Sequence, residues 1–388
     1  MTTSLVRRFA PAVLLLTAGS FCFQSAINFQ MPALPRLLFS LGGSATQVGL
    51  VVTAGSLTAM ATRLGWPVLS ARFGQAWLLM AGGGVGAVAM SLYLLAGSVP
   101  AVLALRIVTA TAMSCFMTVA AGAVAQVAPA ERRAEVIGFY GISSPMALVV
   151  GTVVGGTLVS LRGFGIAFGT AAGLALAAVL CCLPMVRVPE LRSPQATRPR
   201  TLIPPGVRRL AVAMACLVGV NGGVVYFGPS AAGVDNLGLF FAGYALAMVL
   251  SRVVGGRLAD RHGYFPVAVT GTGVMTAGLL LLGLADAPWL AVAGAAGFGL
   301  GLGAAASGVT AWAVHRVGAP ERGAAMGLLL LGMDIGLSVI VFGTGLVTDG
   351  LGVDAAVSLL AVPVLAAAAI LVQCARTEPA PVALDSAR

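Results

Sequence analysis

The chain has 388 residues, 59% of them hydrophobic and only 9% charged, with a formal net charge of +10. A soluble domain carries roughly 25% charged residues, and no soluble fold of this length could hide so much apolar surface, so the solvent must be lipid. All 22 basic residues are Arg, and they lie scattered at the ends of apolar runs instead of forming one patch, which excludes a nucleic-acid footprint and fits membrane topology.

The chain begins with Arg7-Arg8 followed by an apolar run from Phe9 to Phe29. No small-residue cleavage site follows it, so it reads as a retained first span and not a signal peptide. A helical span needs roughly 20 apolar residues. In chain order the spans fall at 10–31, 46–69, 76–97, 101–126, 135–160 and 164–186, then at 208–229, 236–258, 265–285, 289–314, 323–347 and 352–374. The intervening stretch 187–207 carries Arg187, Glu190, Arg192, Arg198 and Arg200 among prolines 189, 194, 199, 204 and 205, and cannot be a membrane helix. The expected organisation is an N-terminal six-helix bundle over 1–186, a linker over 187–207, a C-terminal bundle over 208–375 and a polar tail over 376–388.

The runs are long and do not alternate, so the fold class is all-α integral membrane and not a barrel. Arginines in the short loops set the orientation. One side carries Arg7, Arg8, Arg72, Arg132, Arg133, the linker arginines, Arg257, Arg261, Arg316, Arg322 and Arg376. The other carries Arg36 and Arg162 with Asp235, Asp286, Asp349 and Asp354. Both termini and the linker are therefore expected in the cytoplasm, with the protein in the inner cell membrane. The six cysteines have no metal-type spacing and read as small apolar fillers.

The two halves repeat one another. Arg63, Arg72 and Gly74 recur as Arg252, Arg261 and Gly263 at an offset of 189 (252−63, 261−72, 263−74), and Gly49 recurs as Gly238. Glu131-Arg132 and Glu321-Arg322 lie 190 apart. A chain of two similar apolar halves is the mark of a membrane transporter with parallel repeats.

Residues 256–263, Gly-Arg-Leu-Ala-Asp-Arg-His-Gly, resemble the loop signature of the major facilitator superfamily, glycine-x3-aspartate-arginine-x-glycine. The first-half copy, residues 67–74, has Pro67 for the glycine and Ala71 for the aspartate. The resemblance implies the major facilitator fold, with twelve spans in two pseudo-symmetric bundles. It also implies a cytoplasmic gate formed by Arg63, Arg72, Gly74, Glu135, Arg252, Gly256, Asp260, Arg261 and Gly263. Asp260 would meet the start of span five, near Glu131 and Glu135. Gly151-Thr152-Val153-Val154-Gly155-Gly156 resembles the family's antiporter signature with Thr152 in place of proline, which leans towards export.

Two charges sit inside apolar spans: Arg106 early in span four and Asp334 in span eleven. Placing either in lipid costs roughly 2.5–3.5 kcal/mol on insertion scales, so each should turn to a partner or a wet cavity. Asp334 reads as a proton carrier or as a structural acid paired with Arg63 or Arg106. Arg106 reads as a substrate anchor, a tuner of Asp334 or a snorkelling residue. The resemblance places spans one, four, seven and ten around a central cavity, which would gather Gln24, Asn28, Arg106, Asn221, Tyr226 and Trp312 as a substrate site.

The sequence has no phosphate-binding loop, metal cluster or nucleophile–base arrangement, so it predicts no enzyme activity, no cofactor and no metal. The expectation is a monomeric secondary transporter, driven by the proton gradient and exporting small amphipathic organic molecules by alternating access. Two alternatives stand beside it: a proton symporter importing a small organic anion, and a non-transporting membrane sensor or scaffold.

Overall fold

A computed structural model describes residues 11–63, 65–128, 133–192, 205–231, 236–285, 287–317 and 322–376. The described chain is helical throughout, as a backbone in lipid must be when every polar group needs a partner within its own segment. Span one is Pro11–Ser40, span two is Ala45–Arg63, and a short helix Trp66–Phe73 continues span two after a 51° bend. Spans three to six are Gln75–Leu95, Val99–Val127, Phe139–Arg162 and Phe164–Arg187. Spans seven to twelve are Arg208–Ala231, Leu237–His262, Tyr264–Gly283, Pro288–His315, Arg322–Leu351 and Val353–Arg376. Among the described residues, eleven helices are long and apolar enough to cross a membrane, and the bent pair makes twelve. Span one runs nine residues past its expected end because Pro32 and Pro35 are held inside the helix.

Lipid supplies no hydrophobic drive for helix association, so the bundle depends on close backbone approach. Span nine meets span ten through Gly271, Gly278, Gly294, Gly301 and Gly308, where a Cβ would strike the facing backbone. Span eleven meets span seven through Gly332 and Gly336, which lie against the backbone of Ala211 and Ala215.

Two glycines do a different job. Gly74 and Gly263, at φ 84° and 90°, separate span two's continuation from span three and span eight from span nine. A side chain at that positive φ is strained, so the repeated glycine is what lets each helix reverse within one residue.

Candidate functional site

The halves meet along two seams, span two with span eleven and span five with span eight. In the first, Gly49 lies against Val341 and Phe342, and Gly345 against Ala45 and Thr46. Thr53 Oγ1 donates to the Ser338 carbonyl at 2.8 Å. At the end opposite the arginine-rich face, the Asp349 carboxylate accepts the Ala45 and Thr46 amides at 3.0 and 2.8 Å. It thereby caps the N-terminus of span two, where orphan N–H groups and the helix dipole favour an anion.

The second seam repeats this end. Gly156 packs on Leu237 and Gly238, and Ser160 Oγ accepts the Leu237 amide at 3.0 Å. Ser160 and Asp349 are related by the same offset (349−160 = 189), as are Gly156 and Gly345 (345−156 = 189). By sequence Asp349 reads as one of the loop acids, and Ser160 carries no expectation. The repeat offset was the signal that would have found both.

Nearer the arginine-rich face, Arg63 Nη1 donates to Asp334 Oδ2 at 2.8 Å, joining span two to span eleven. The side chains are 32% and 19% exposed, so the pair is half-buried. Of the two partners expected for Asp334, Arg63 and Arg106, it is Arg63 that takes it. The residue in span five matching Asp334 is Pro145 (334−189 = 145), so Arg252 of span eight has no equivalent acid.

Arg106 is 8% exposed and does not snorkel. Its Nη1 donates to Gln30 Oε1 at 2.8 Å, and its guanidinium lies over Gly55, where any side chain would displace it. Span one, and not Asp334, supplies the partner. Arg106 Nε and Gln30 Nε2 are buried donors with no hydrogen-bond partner among the described residues. Thr109, one turn along span four, donates to the Arg106 carbonyl at 3.1 Å. Tyr93 in turn bonds Thr109 at 3.4 Å.

The other expected cavity residues separate. Gln24 Nε2 donates to Ser143 Oγ at 3.4 Å, and Asn28 lies against Gly151. Asn221 accepts the Tyr244 hydroxyl at 2.7 Å within the C-terminal half. Trp312 does not join them. It is 1% exposed, packed against Phe265 and under the Arg316 guanidinium at 4.8 Å, because span ten carries it to the arginine-rich end. The antiporter-like glycines also divide: Gly151 and Gly155 pack on Ser25, Asn28 and Phe29 of span one, and only Gly156 reaches the other half.

Of the gating residues, Arg72 stacks over its neighbour Phe73 at 5.4 Å, Arg252 and Arg261 are exposed, and a Cβ at Gly256 would meet open space. Glu131 and the side chains of Glu135 and Asp260 lie outside the described residues, so the expected latch between them falls there too. A cavity of about 300 Å³ opens on the opposite face between spans one, seven and eight, lined by Met31, Arg36, Phe39, Tyr226 and Phe241 among others.

Two equivalent six-span halves, joined along paired seams around a buried polar centre, define a secondary membrane transporter and not an enzyme. The family model described as Major Facilitator Superfamily matches residues 16–235 and 231–387, and the chain belongs to that superfamily. An uncharacterised MFS-type transporter of Methanocaldococcus jannaschii is 21% identical over 362 residues, covering 88% of this chain and 92% of the relative. One of Pseudomonas aeruginosa is 39% identical over 106 residues, 27% of this chain and 26% of its own length, so that match spans about a quarter of the relative. Among solved structures, the nucleoside transporter NupG superposes with a TM-score of 0.75 at 14% identity, covering 95% of this chain and 100% of its own. A bacterial homologue of the human lysosomal transporter Spinster, inward-facing and occupied, also gives 0.75, at 17% identity, covering 95% and 96%. At these identities the likeness is one of fold.

Proposed function

We propose that the protein is a proton-coupled exporter of small amphipathic organic molecules, working as a monomer in the inner cell membrane with both termini and the linker in the cytoplasm. The observation that carries this reading is the Arg63–Asp334 contact across the halves. While Asp334 is ionised, the pair holds the arginine-rich end of that seam together. A proton on Asp334 removes the charge that Arg63 is bound to, so loading and unloading the carboxyl alternately frees and rejoins the halves. Proton movement and rocking are thereby one event. No bound cofactor is needed, since the gradient supplies the drive.

The mixed lining of Met31, Phe39, Tyr226 and Phe241 with one guanidinium suits an amphipathic molecule better than a bare ion or a sugar. In this cycle the loop around Asp260 and Arg261 stabilises the state closed to the cytoplasm. The test is flux driven by a pH gradient in proteoliposomes. Asp334→Asn should abolish acceleration by the gradient while leaving counterflow of substrate intact. Gradient-driven flux equal to the parent's would refute the coupling role.

A second reading, import of a small organic anion with protons, draws on the unpartnered Arg106 Nε and Gln30 Nε2. Buried donors in that number favour an acceptor ligand. Flux direction in inverted against right-side-out vesicles separates the two. A sensor without transport would bind its ligand and show flux in neither.

A further inference from the structure

Arg252 occupies the repeat position of Arg63 but faces no carboxylate among the described residues; its surroundings are of another kind. It lines a hollow of about 630 Å³ at the arginine-rich end of the C-terminal half, between spans eight, nine and ten. Tyr264, Ser307, Thr310 and His315 line the same hollow. The Tyr264 and His315 rings stand 5.1 Å apart at 47°, forming one wall. Ser307 Oγ and Thr310 Oγ1 donate back to carbonyls of span ten, which fixes them in place while leaving their oxygens at the hollow.

Span nine begins at Tyr264 after Gly263, and no side chain caps its first turn. A helix N-terminus alone defines no site. Here the uncapped turn, a guanidinium and an imidazole share one hollow, and each favours an anion or an acceptor.

The repeat makes the point by contrast. Tyr264 matches Gln75 (264−75 = 189) and His315 matches Gln126 (315−126 = 189), so the N-terminal half presents two neutral amides at the corresponding places. There, too, the matching arginine is engaged by Asp334. The matching N-terminal positions are neutral and their arginine is paired; the C-terminal ones are basic, with a charge on Arg252 that nothing described offsets.

We propose that the hollow around Arg252 and His315 binds the phosphate group of an anionic molecule, a site separate from the transport pathway. The phosphate belongs either to a membrane lipid headgroup or to a soluble phosphorylated compound. Arg252 provides the fork that matches two phosphate oxygens, and His315 with the first amides of span nine closes on the third. Flanking Leu250, Val253 and Val254 are exposed, so the hollow adjoins lipid-facing surface where an acyl chain could lie.

The experiment uses the full chain in nanodiscs of phosphatidylcholine with or without phosphatidylglycerol, with retained lipid counted by native mass spectrometry. Inorganic phosphate binding is measured in parallel by phosphorus NMR in the phosphatidylcholine discs. The parent should retain phosphatidylglycerol, or bind phosphate, and Arg252→Gln should weaken that binding about tenfold, as expected for a lost charge-assisted contact. His315→Gln should weaken it less, and Arg257→Gln, on the same helix but outside the lining, should leave it unchanged.

Retained phosphatidylglycerol that phosphate does not displace identifies a lipid site, whereas phosphate binding without phosphatidylglycerol identifies a soluble ligand. Asp260→Asn tests whether that nearby acid offsets Arg252: if it alone creates phosphate binding that the parent lacks, the proposal is overturned. Equal losses in Arg252→Gln and Arg257→Gln, or no binding of either probe, overturn it as well.

Discussion

The two seams of this transporter are copies of one design and differ at one end. On the face opposite the arginine-rich loops, span two against span eleven and span five against span eight use equivalent residues: Gly345 and Gly156 for close approach, Asp349 and Ser160 to hold a helix N-terminus. Towards the arginine-rich face the likeness ends. Arg63 has Asp334, while the span-five position equivalent to Asp334 is Pro145, so the repeat supplies no matching acid for Arg252. A duplicated protein needs both seams to close in the same state, but in the proposed cycle only one of them has to sense the driving ion. The shared end is thus a hinge-like closure, and under the proposed coupling the divergent end is where the proton acts.

The largest expected effect comes from the shared end. Leucine at Gly345 or at Gly156 would drive its side chain into the backbone of Ala45 or of Leu237. Overpacking of this kind costs about 1–3 kcal/mol, so each substitution should cut transport by about tenfold or more. Each should also raise labelling from that face of a cysteine placed at Thr46 or Asn236. If one seam tolerates leucine and the other does not, the closures are not equivalent.

The divergent end predicts unequal consequences for matched arginines. Arg63→Gln leaves Asp334 without its ion partner, and removing one member of a half-buried pair should lower stability by about 1–3 kcal/mol, below the range for fully buried pairs. Arg252→Gln breaks no ion pair among the described residues and should change stability by less than about 0.5 kcal/mol. Thermal unfolding of both variants in one detergent checks this. Combining Arg63→Gln with Asp334→Asn should recover part of the loss, since neither charge then remains alone.

Sequence reading reached the fold because span length, arginine placement and the 189 offset are each fixed by lipid or by duplication, and none depends on packing detail. It placed Asp334 and Arg106 correctly as charges in need of partners. It could not choose the partners, because rotation about each helix axis decides them. Gln30 is not among the residues expected at the cavity, yet it takes Arg106 and is 2% exposed. Trp312 was assigned by span number alone, and the length of span ten carries it to the far end of the helix from any central cavity. Asp349 was legible as topology and not as a cap, since a loop acid and a capping acid look alike until the facing helix is in view.

The capping residues offer a finer comparison. Asp349 accepts the Ala45 and Thr46 amides with a charged group, whereas Ser160 accepts the Leu237 amide with a neutral hydroxyl. Asp349→Asn should therefore loosen its seam by about 1 kcal/mol, and Ser160→Ala by somewhat less. The readout is again cysteine labelling at Thr46 and Asn236, with the rate rising several-fold in the first variant and by less in the second.

The smallest effect runs the other way. Ser160→Asp places at span eight the kind of cap that span two already has, and a carboxylate at a partly exposed helix N-terminus contributes about 0.3–1 kcal/mol. Asn236 already accepts the Leu239 amide at 3.2 Å, so the new carboxylate adds to an existing cap and does not replace a missing one. Labelling at Asn236 should slow by about twofold, and the slowing should shrink in high salt as the charge is screened. Turnover should fall modestly with it, because a seam that opens less readily delays every cycle. Faster labelling would mean that the serine's position tolerates no larger group, and that the two closures, although related by duplication, have been fitted to different residues.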